Sequence, residues 1–348
     1  MARRHLSWVG TLLLMQLHGL SSPAAVEATP PTTTPSRLNP RQTAIVINSQ
    51  DPLSRQIGAY YAARRNIPKT NIATIRFSPT GDEISPADFA RLKALVDRQL
   101  GHPVEAYTLT WAKPYRVGCM SLTSAFAFGF DERSCADGCR ATLRNPYFNA
   151  AAGQLPSASH IRLAMSLAAD NFQNAKRLID RGVRSDGTSP TGTAYLLRTT
   201  DSTRNVRSLE YPLALRVGEH EFGFRVLLSD AVPDGDVMFL FTGAAAVPQV
   251  SSLRFLPGAL ADHLTSFGGM LTDSPQMSSL RWLDAGATGS YGTVVEPCNL
   301  LPKFPNVAVL IAHYLAGDTL IEAYWKSVEM PGQGIFIGEP LAAPFARP

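Results

Sequence analysis

Short apolar runs alternate along the chain with longer segments in which apolar residues recur every three or four positions. Short runs bounded by polar residues are typical of buried strands, and the longer spacing is typical of helices with one buried face. The pattern predicts strands at 43–48, 71–77, 106–110, 194–198, 224–228, 237–242 and 289–295, and a last strand within 334–345. It predicts helices at 51–65, 85–100, 160–180, 203–215, 257–267, 278–284, 306–316 and 319–328.

Strands that alternate with helices favour an α/β fold with one doubly wound, mostly parallel sheet flanked by helices. The most apolar strand, 237–242 (VMFLFT), is expected near the centre of that sheet. The chain has 348 residues, 45% of them hydrophobic and 17% charged, which is enough to bury one large core. We therefore expect a single α/β domain over residues 43–348.

Residues 111–158 interrupt the alternation, because they combine glycines, aromatic residues and three of the four cysteines without a clear period. A loop this long in a compact domain usually carries function or is covered by other structure. We predict a Cys-rich insertion here, pinned by disulfides. Its aromatic residues are expected to form a small core of their own rather than a ligand platform; they include Phe126, Phe128, Phe130, Tyr147 and Phe148.

The N-terminal residues 1–28 have the pattern of a signal peptide, with Arg3 and Arg4 before the apolar run 8–20 and small residues after it. That run is shorter than the ~20 residues that a membrane-spanning helix needs. Residues 29–42 are rich in proline and threonine, which is typical of a linker. We therefore expect export to the periplasm or the cell exterior, with no transmembrane anchor after cleavage.

Four cysteines, Cys119, Cys135, Cys139 and Cys298, fit an exported chain with two disulfides, and three pairings are open. Asp137-Gly138 can turn the chain between Cys135 and Cys139. We therefore predict that these two cysteines are paired and that Cys119 bonds to Cys298. The alternative is a zinc site, but no histidine lies near the CADGC stretch.

The formal net charge of +4 falls to +3 when residues 1–28 are removed, because two arginines and one glutamate leave with them. No Lys/Arg cluster is dense enough to indicate nucleic-acid binding. The H-E-x-x-H, P-loop and G-x-G-x-x-G motifs are absent from the sequence. We therefore expect no metal and no cofactor. The expected partner is a protein or a component of the cell envelope.

Reactive side chains are most concentrated between Pro257 and Pro297, beside several glycines. The sequence offers two sets of candidates: Asp262, His263, Ser266 and Glu296 for catalysis, and Thr265, Gly268 and Gly269 for binding. On the predicted helix Ser266 could meet His263, since residues three apart face each other, whereas Asp262 could not easily orient the same ring. Alternatively, His263 packs in the core while its polar neighbours make local contacts. Cys298 would form a nucleophile with His263 only if it were not in a disulfide.

The sequence contains the phrases DPLSRQIGAYYAARRNIP, RVGCMSLTSAFAFGFD, FTGAAAVP, PGALADHLTSFGG, RWLDAGATGSYGTVVEPCN, KFP, TLIEAYWKSV and PGQGIFIGEPLAAPF. Together they resemble a family of uncharacterised exported bacterial proteins. The resemblance covers nearly the whole chain after residue 28. It implies export but no particular activity.

The second half of the chain is distantly similar to the caspase and gingipain group of cysteine peptidases. In that group one strand ends in a His-Gly pair, the next ends in the catalytic Cys, and a late Gly-Asp-Pro phrase closes the domain. Here Ala244-Ala245 follow VMFLFTG, the next segment offers Pro257-Gly258-Ala259 without a cysteine, and Gly338-Glu339-Pro340 matches the late phrase. The resemblance therefore implies the fold of that group without its catalytic dyad.

Two hypotheses about function follow. The first is a binding or scaffold domain on a degenerate caspase/gingipain-like fold. The second is a hydrolase that uses Asp262, His263 and Ser266 with Glu296, or a Cys298–His263 pair. Because a fold does not choose between such functions, the arrangement of these side chains in space is the deciding observation.

Overall fold

Thirteen strands and eight α-helices are present in the described part of the chain. The computed structural model describes residues 37–136, 139–221, 225–229 and 234–347, and gives only the backbone of 218–221 and 225–227. The predicted signal peptide at 1–28 and the first part of the predicted linker lie outside these residues. None of the described helices is long and apolar enough to cross a membrane.

The strands are β1 (Thr43–Asn48), β2 (Ile72–Ile75), β3 (Glu83–Ile84), β4 (Ala106–Leu109), β5 (Arg116–Val117), β6 (Met120–Ser121), β7 (Leu163–Ser166), β8 (Thr193–Leu197), β9 (Arg225–Ser229), β10 (Asp236–Gly243), β11 (Arg254–Leu264), β12 (Gly289–Thr293) and β13 (Gly334–Gly338). The helices are α1 (Pro52–Arg65), α2 (Pro86–Leu100), α3 (Leu122–Phe128), α4 (Phe172–Ser185), α5 (Tyr211–Glu221), α6 (Leu280–Ala285), α7 (Val307–Leu315) and α8 (Leu320–Ser327). Most predicted elements are confirmed with shifted ends.

Ten strands form one sheet in the order β2-β1-β4-β7-β13-β12-β11-β10-β8-β9. Strands β1, β2, β4 and β7 are parallel to one another, as are β8 to β12, and β13 runs antiparallel to β12. The predicted mostly parallel α/β fold is therefore confirmed. The prediction of a central position for residues 237–242 is wrong, because β10 lies third from the β9 edge. Its apolar sequence reflects burial on both faces, which does not require a central place.

Helices cover both faces of the sheet, as a doubly wound fold requires. In one layer α1 packs against α4, and α4 donates hydrogen bonds to α6 from Asn174 and Arg181. In the other layer α5, α7 and α8 pack together, and aromatic contacts join α8 to α3 and α3 to α2. The strands between the layers therefore need apolar residues on both sides.

Local signals in the sequence set the ends of the first helices. Asp51 caps α1 by accepting a hydrogen bond from the Leu53 N–H at 2.9 Å, and Pro52 occupies the first turn. Asn66 ends α1 in the left-handed conformation, with φ of 54°. Leu38, within the predicted linker, is buried and donates its N–H to the Glu322 carboxylate at 3.2 Å. The folded part therefore begins before Thr43.

Two predicted helices are wrong. Residues 257–267 belong largely to β11, and residues 160–180 contain β7 followed by the first part of α4. β11 is buried on both faces from Gly258 to Leu264, so it has no polar side that would reveal the alternation of a strand. The spacing of Leu260 and Leu264 then imitates a helix. α4 begins only at Phe172, where Asn171 caps it by accepting from the Asn174 N–H at 3.0 Å.

The insertion at 111–158 packs into the domain rather than around a core of its own. β5 and β6 join β3 in a small second sheet, and α3 lies against β7 and β13. Phe126 makes edge-to-face contacts with Phe89 of α2 and with Trp111, at centroid distances of 5.3 and 6.4 Å. The expected separate aromatic core is therefore wrong, because Phe126 shares the core beneath α2 while Phe128 packs against Trp325 of α8.

Two disulfides hold the insertion, but the predicted pairing is wrong. Cys119 bonds to Cys135, with Cα atoms 5.4 Å apart, and Cys139 bonds to Cys298, with Cα atoms 5.2 Å apart. The chain turns back through α3, which brings Cys135 beside Cys119. Cys139 is then left to reach the loop after β12. The short sequence separation between Cys135 and Cys139 therefore did not predict the partner of Cys135.

Candidate functional site

Strands β8, β10 and β11 are neighbours, are parallel, and end at one edge of the sheet. Ligand sites in open α/β sheets collect at such carboxyl ends. The segments that follow the three strands are 198–205, 244–248 and 265–269. The candidate site lies among them.

Arg204 joins the segment after β8 to the segment after β11. Its Nη1 pairs with Asp201 Oδ2 at 2.8 Å, and its Nε donates to Thr265 Oγ1 at 3.2 Å. Thr265 in turn donates to Gln276 Oε1 at 2.6 Å, and Gln276 also accepts from the Phe267 N–H at 2.9 Å. Burial alone would raise the pKa of Asp201, but the hydrogen bonds from Arg204 outweigh it and hold that pKa below its ordinary value. This network is therefore charged and fixed at neutral pH.

Loop 198–205 lies so close to the end of β10 that there is no room for a side chain at position 243. A Cβ at Gly243 would overlap the backbone carbonyl of Arg204. Thr199 secures the contact, because its Oγ1 donates to the Gly243 carbonyl at 2.6 Å and its N–H donates to Asn205 Oδ1 at 2.9 Å. Glycine at this position allows the loop to lie against the strand end.

A pocket of about 570 Å³ opens between the ends of β8 and β10. One part of its wall is apolar and consists of Leu197, Ala244, Ala245, Ala246, Val247 and Pro248. The other part is polar and consists of Arg198, Thr199, Thr200, Asp201 and Thr242. This volume falls in the range of about 300–1,000 Å³ that is usual for small-molecule sites. We refer to it below as the edge pocket.

His263 is a packed histidine, with 1% of its surface exposed. The Trp282 indole Nε1 donates to His263 Nδ1 at 2.9 Å, and His263 Nε2 donates to the Met277 carbonyl at 3.0 Å. Both ring nitrogens are thus occupied in the neutral ring. Burial lowers the pKa of His263 to about 4, so the ring is uncharged at neutral pH. It could accept a proton from Ser266 only by giving up its bond to Trp282.

Asp262 points to the opposite face of the sheet from His263, because successive side chains of a strand alternate. Its carboxylate pairs with Arg207, and both side chains are fully buried. Arg207 also donates to the Pro305 carbonyl at 3.2 Å and lies over the Phe241 ring at 5.1 Å. Burial raises the pKa of Asp262, and the guanidinium of Arg207 opposes that rise. Asp262 therefore holds the core together and does not orient the His263 ring.

The glycines and serine that follow β11 pack against the end of β12. Thr293 Oγ1 donates to the Ser266 carbonyl at 2.8 Å, and the Gly269 N–H donates to the Thr293 carbonyl at 2.9 Å. A Cβ at Gly269 would lie 2.6 Å from the Gly292 carbonyl oxygen. Gly268 is buried in the same contact. Close backbone packing therefore requires glycine at 269, whereas a Cβ at Gly268 would meet side chains, the nearest being Ser279 Oγ at 3.2 Å.

Glu296 and Cys298 lie beyond the end of β12. Glu296 is exposed, and its Oε1 accepts from the Cys298 N–H at 2.7 Å. Cys298 is bonded to Cys139, so it presents no thiol. The structure therefore does not bring Asp262, His263, Ser266 and Glu296 to one open pocket. Of the predicted site residues, Thr265 belongs to the network beside the edge pocket.

No described histidine ring hydrogen-bonds to a serine, threonine or cysteine side chain. His102 bonds to the Leu100 carbonyl and to Asn71, and His313 bonds to Asn149 and Asp318. All four cysteines are in disulfides. Within the described ranges, no three His, Cys, Asp or Glu side chains are grouped so that they could hold a metal ion. Covalent hydrolysis usually needs a nucleophile next to its base, and no such pair with a histidine occurs among the described residues.

The residues of the edge pocket carry no motif, and the candidates drawn from the sequence do not include Thr199, Asp201, Arg204 or Gln276. A weaker signal does exist. The predicted strands 194–198 and 237–242 are expected to end at a site if they are parallel neighbours. Arg204 and Thr265 are 61 positions apart, so only the sheet order brings them together.

No protein-family model matches the chain, and a search of curated proteins finds no match. Among solved structures, one titled "Structure of Protease" is similar with a TM-score of 0.46 and 10% sequence identity. The similarity covers 89% of this chain and 80% of that chain.

Proposed function

We propose that the protein is an exported binding domain that holds a peptide-sized ligand in the edge pocket without hydrolysing it. One observation carries the proposal. The carboxyl edge of β8, β10 and β11 offers an open pocket beside a fixed polar network, while the nearby His263 has both ring nitrogens engaged in the core.

The lining of the edge pocket defines the class of ligand. Ala244, Ala246 and Val247 offer contacts to an apolar side chain. In the polar part of the same wall, Thr199 and Asp201 offer hydroxyl and carboxylate groups to hydrogen-bond donors. A short peptide with an apolar side chain carries both kinds of group. The mixed wall therefore favours such a peptide over a purely apolar or a strongly charged ligand.

Two further observations support export. Disulfides persist in oxidising compartments such as the periplasm and the cell exterior, and the structure contains two of them. The sequence of residues 1–28 adds the pattern of a signal peptide. We therefore propose that the ligand is met outside the cytoplasm.

The competing hypothesis is a hydrolase built on His263 and Ser266. It requires the imidazole to leave Trp282 and Met277 and to turn toward a hydroxyl, in a region that is nearly closed to solvent. It also requires another acid in place of Asp262, which is engaged with Arg207 on the other face. Nothing in the described geometry supplies these changes.

Ala246→Trp tests the proposal, because Ala246 is an exposed residue of the pocket wall and an indole there would fill the opening. Ala152→Trp is the matched control on an exposed turn away from the pocket. Equilibrium dialysis against a pool of apolar tripeptides should show retention by the wild type and by Ala152→Trp. Ala246→Trp should lose at least about tenfold in affinity. Equal retention by all three proteins would refute the edge pocket as the site.

A further inference from the structure

A second cavity, of about 640 Å³, lies between α1 and α4 on the helical face of the sheet rather than at its carboxyl edge. Tyr60 and Asp180 form part of its lining. The rest of the lining is basic and consists of Arg64, Lys176, Arg177, Arg181 and Arg184. We call this cavity the basic groove. It is separate from the edge pocket and does not depend on the function proposed for that pocket.

Among the described residues that line the basic groove, the one carboxylate is Asp180, and it is already engaged. Asp180 accepts from the Tyr60 hydroxyl at 2.7 Å, from Arg64 Nε at 3.0 Å and from Lys176 Nζ at 2.6 Å. These contacts neutralise part of the charge of Arg64 and Lys176. Three guanidinium groups of the groove, on Arg177, Arg181 and Arg184, form no ion pair with a carboxylate of the described residues.

Arg181 is the most informative of the three, because only 9% of its surface is exposed. Its Nη2 donates to the carbonyls of Leu283 and Ala287 at 2.6 and 2.5 Å, and its Nε is buried without a hydrogen-bond partner. Burial, together with the charges of Arg177 and Arg184, lowers its pKa to about 9, although the carboxylate of Asp284 opposes that shift. A buried cation among like charges is costly unless an anion compensates it. The basic groove therefore holds more positive charge than its lining carboxylate compensates.

The spacing of the arginines indicates how large the missing anion is. Residues 177, 181 and 184 recur at helical spacing, so their side chains follow one face of α4. With a rise of about 1.5 Å per residue, Arg177 and Arg184 are separated by roughly 10 Å along the helix axis. That distance is wider than one phosphate group but suits two or three in a row. Guanidinium groups match phosphate oxygens with paired donors, which a lysine cannot do.

We propose that the basic groove binds a ligand with two or more phosphate groups, which lie along α4 between Arg177 and Arg184 and reach Arg181. The same chemistry is offered by a soluble oligophosphate and by a lipid headgroup with two phosphates. Both sources would explain why three guanidinium groups line one cavity whose lining carboxylate, Asp180, is already engaged.

Calorimetric titration with sodium tripolyphosphate tests the proposal. Arg177→Gln/Arg184→Gln should weaken binding at least about tenfold, since two charge-assisted contacts are lost. Arg76→Gln/Arg98→Gln is the matched control, because it removes two exposed positive charges elsewhere on the surface. The control should change affinity less than about twofold, and raising the salt from about 50 to about 200 mM should weaken binding to the wild type. Thermal melts of both double variants verify that they are folded.

A parallel flotation assay with phosphatidylcholine vesicles, about one fifth of whose lipid is cardiolipin, distinguishes the two sources. Flotation that the groove variant loses identifies a lipid headgroup, and tripolyphosphate binding without flotation identifies a soluble ligand. The proposal is overturned if neither probe binds. It is equally overturned if the two double variants lose affinity to the same extent, because the loss would then reflect overall charge.

Discussion

Replacing His263 with phenylalanine should make the stability of the protein less dependent on pH. The buried imidazole has a pKa of about 4, against an ordinary value of 6.5. Between these values the unfolded chain binds a proton that the folded chain does not. The free energy of unfolding therefore falls as the pH drops from about 6.5 to about 4, and is fully present above 6.5. The loss attributable to this one ring is roughly 3 kcal/mol.

The phenylalanine variant keeps the volume of the ring but leaves the Trp282 indole N–H and the Met277 carbonyl without their partners. Two unpaired buried groups should cost about 2–4 kcal/mol at pH 7. At pH 4 the wild type has lost most of that advantage, so the two proteins should be nearly equal in stability. The quantity to follow is the difference in the free energy of unfolding between the two proteins. Glu210 changes the stability of both proteins with pH in the direction opposite to His263, and the difference removes its effect. Its pKa is raised to about 7 by burial, so its contribution is lost as the pH rises through that value.

Urea unfolding followed by circular dichroism, at intervals between pH 4 and pH 8, measures this difference. His160→Asn is the matched control, because His160 is exposed and has a left-handed backbone that asparagine tolerates. Its stability should follow the wild type at every pH. A gap between His263→Phe and the wild type that stays constant across the range would refute the assignment of a neutral, packed ring.

Three further predictions concern the core, the pocket and the disulfides. Asp262→Ala should lower the free energy of unfolding in urea by about 3–5 kcal/mol, because it leaves Arg207 buried and unpaired. The double variant Arg207→Met/Asp262→Leu should recover most of that loss, and equal losses in the two variants would contradict the role of the buried ion pair. Gly243→Ala should abolish ligand retention, because the added methyl group would push loop 198–205 away from the end of β10. Gly81→Ala is the control, since a Cβ there has its nearest neighbour at 3.6 Å, and it should retain ligand like the wild type. Ligand retention by both variants would contradict the close approach at Gly243. Non-reducing peptide mapping should recover the pairs Cys119–Cys135 and Cys139–Cys298. Removing Cys139–Cys298, with a sequence separation of 159, should lower the free energy of unfolding by about 1–2 kcal/mol more than removing Cys119–Cys135, with a separation of 16, because the longer loop restricts the unfolded chain more. A larger loss of stability on removing Cys119–Cys135 would contradict this argument.

The class of fold was predictable from the sequence because short apolar runs and amphipathic segments alternate along most of the chain. The prediction failed at two buried strands whose residues also fit a helical spacing, β11 and β7. In β11 the buried polar residues Asp262 and His263 lie on opposite faces, so neither face reads as the polar one, and Leu260 and Leu264 recur at a helical spacing by coincidence. The same limit affected β7, which was absorbed into the predicted helix 160–180.

The candidate site was harder to predict, and the reason is the wrong element type at β11. On a helix His263 and Ser266 would share a face, whereas on a strand the alternation separates Asp262 from His263. The residues that do meet at the carboxyl edge, Arg204 and Thr265, come from distant parts of the chain. Only the order of the strands in the sheet places them together, and local patterns do not carry that order. The disulfide pairing was missed for the same reason, since it depends on how α3 folds back.

The central claim is that the edge pocket binds a peptide and leaves it intact. The most direct measurement is mass spectrometry of the protein and of an apolar tripeptide pool after prolonged incubation together, with a parallel sample of the protein treated with a fluorophosphonate probe instead. We expect intact peptides to be enriched on the wild type and lost from Ala246→Trp, with no cleavage products and no probe on the protein. Cleaved peptides, or a probe adduct on Ser266, would contradict the claim and establish a hydrolase.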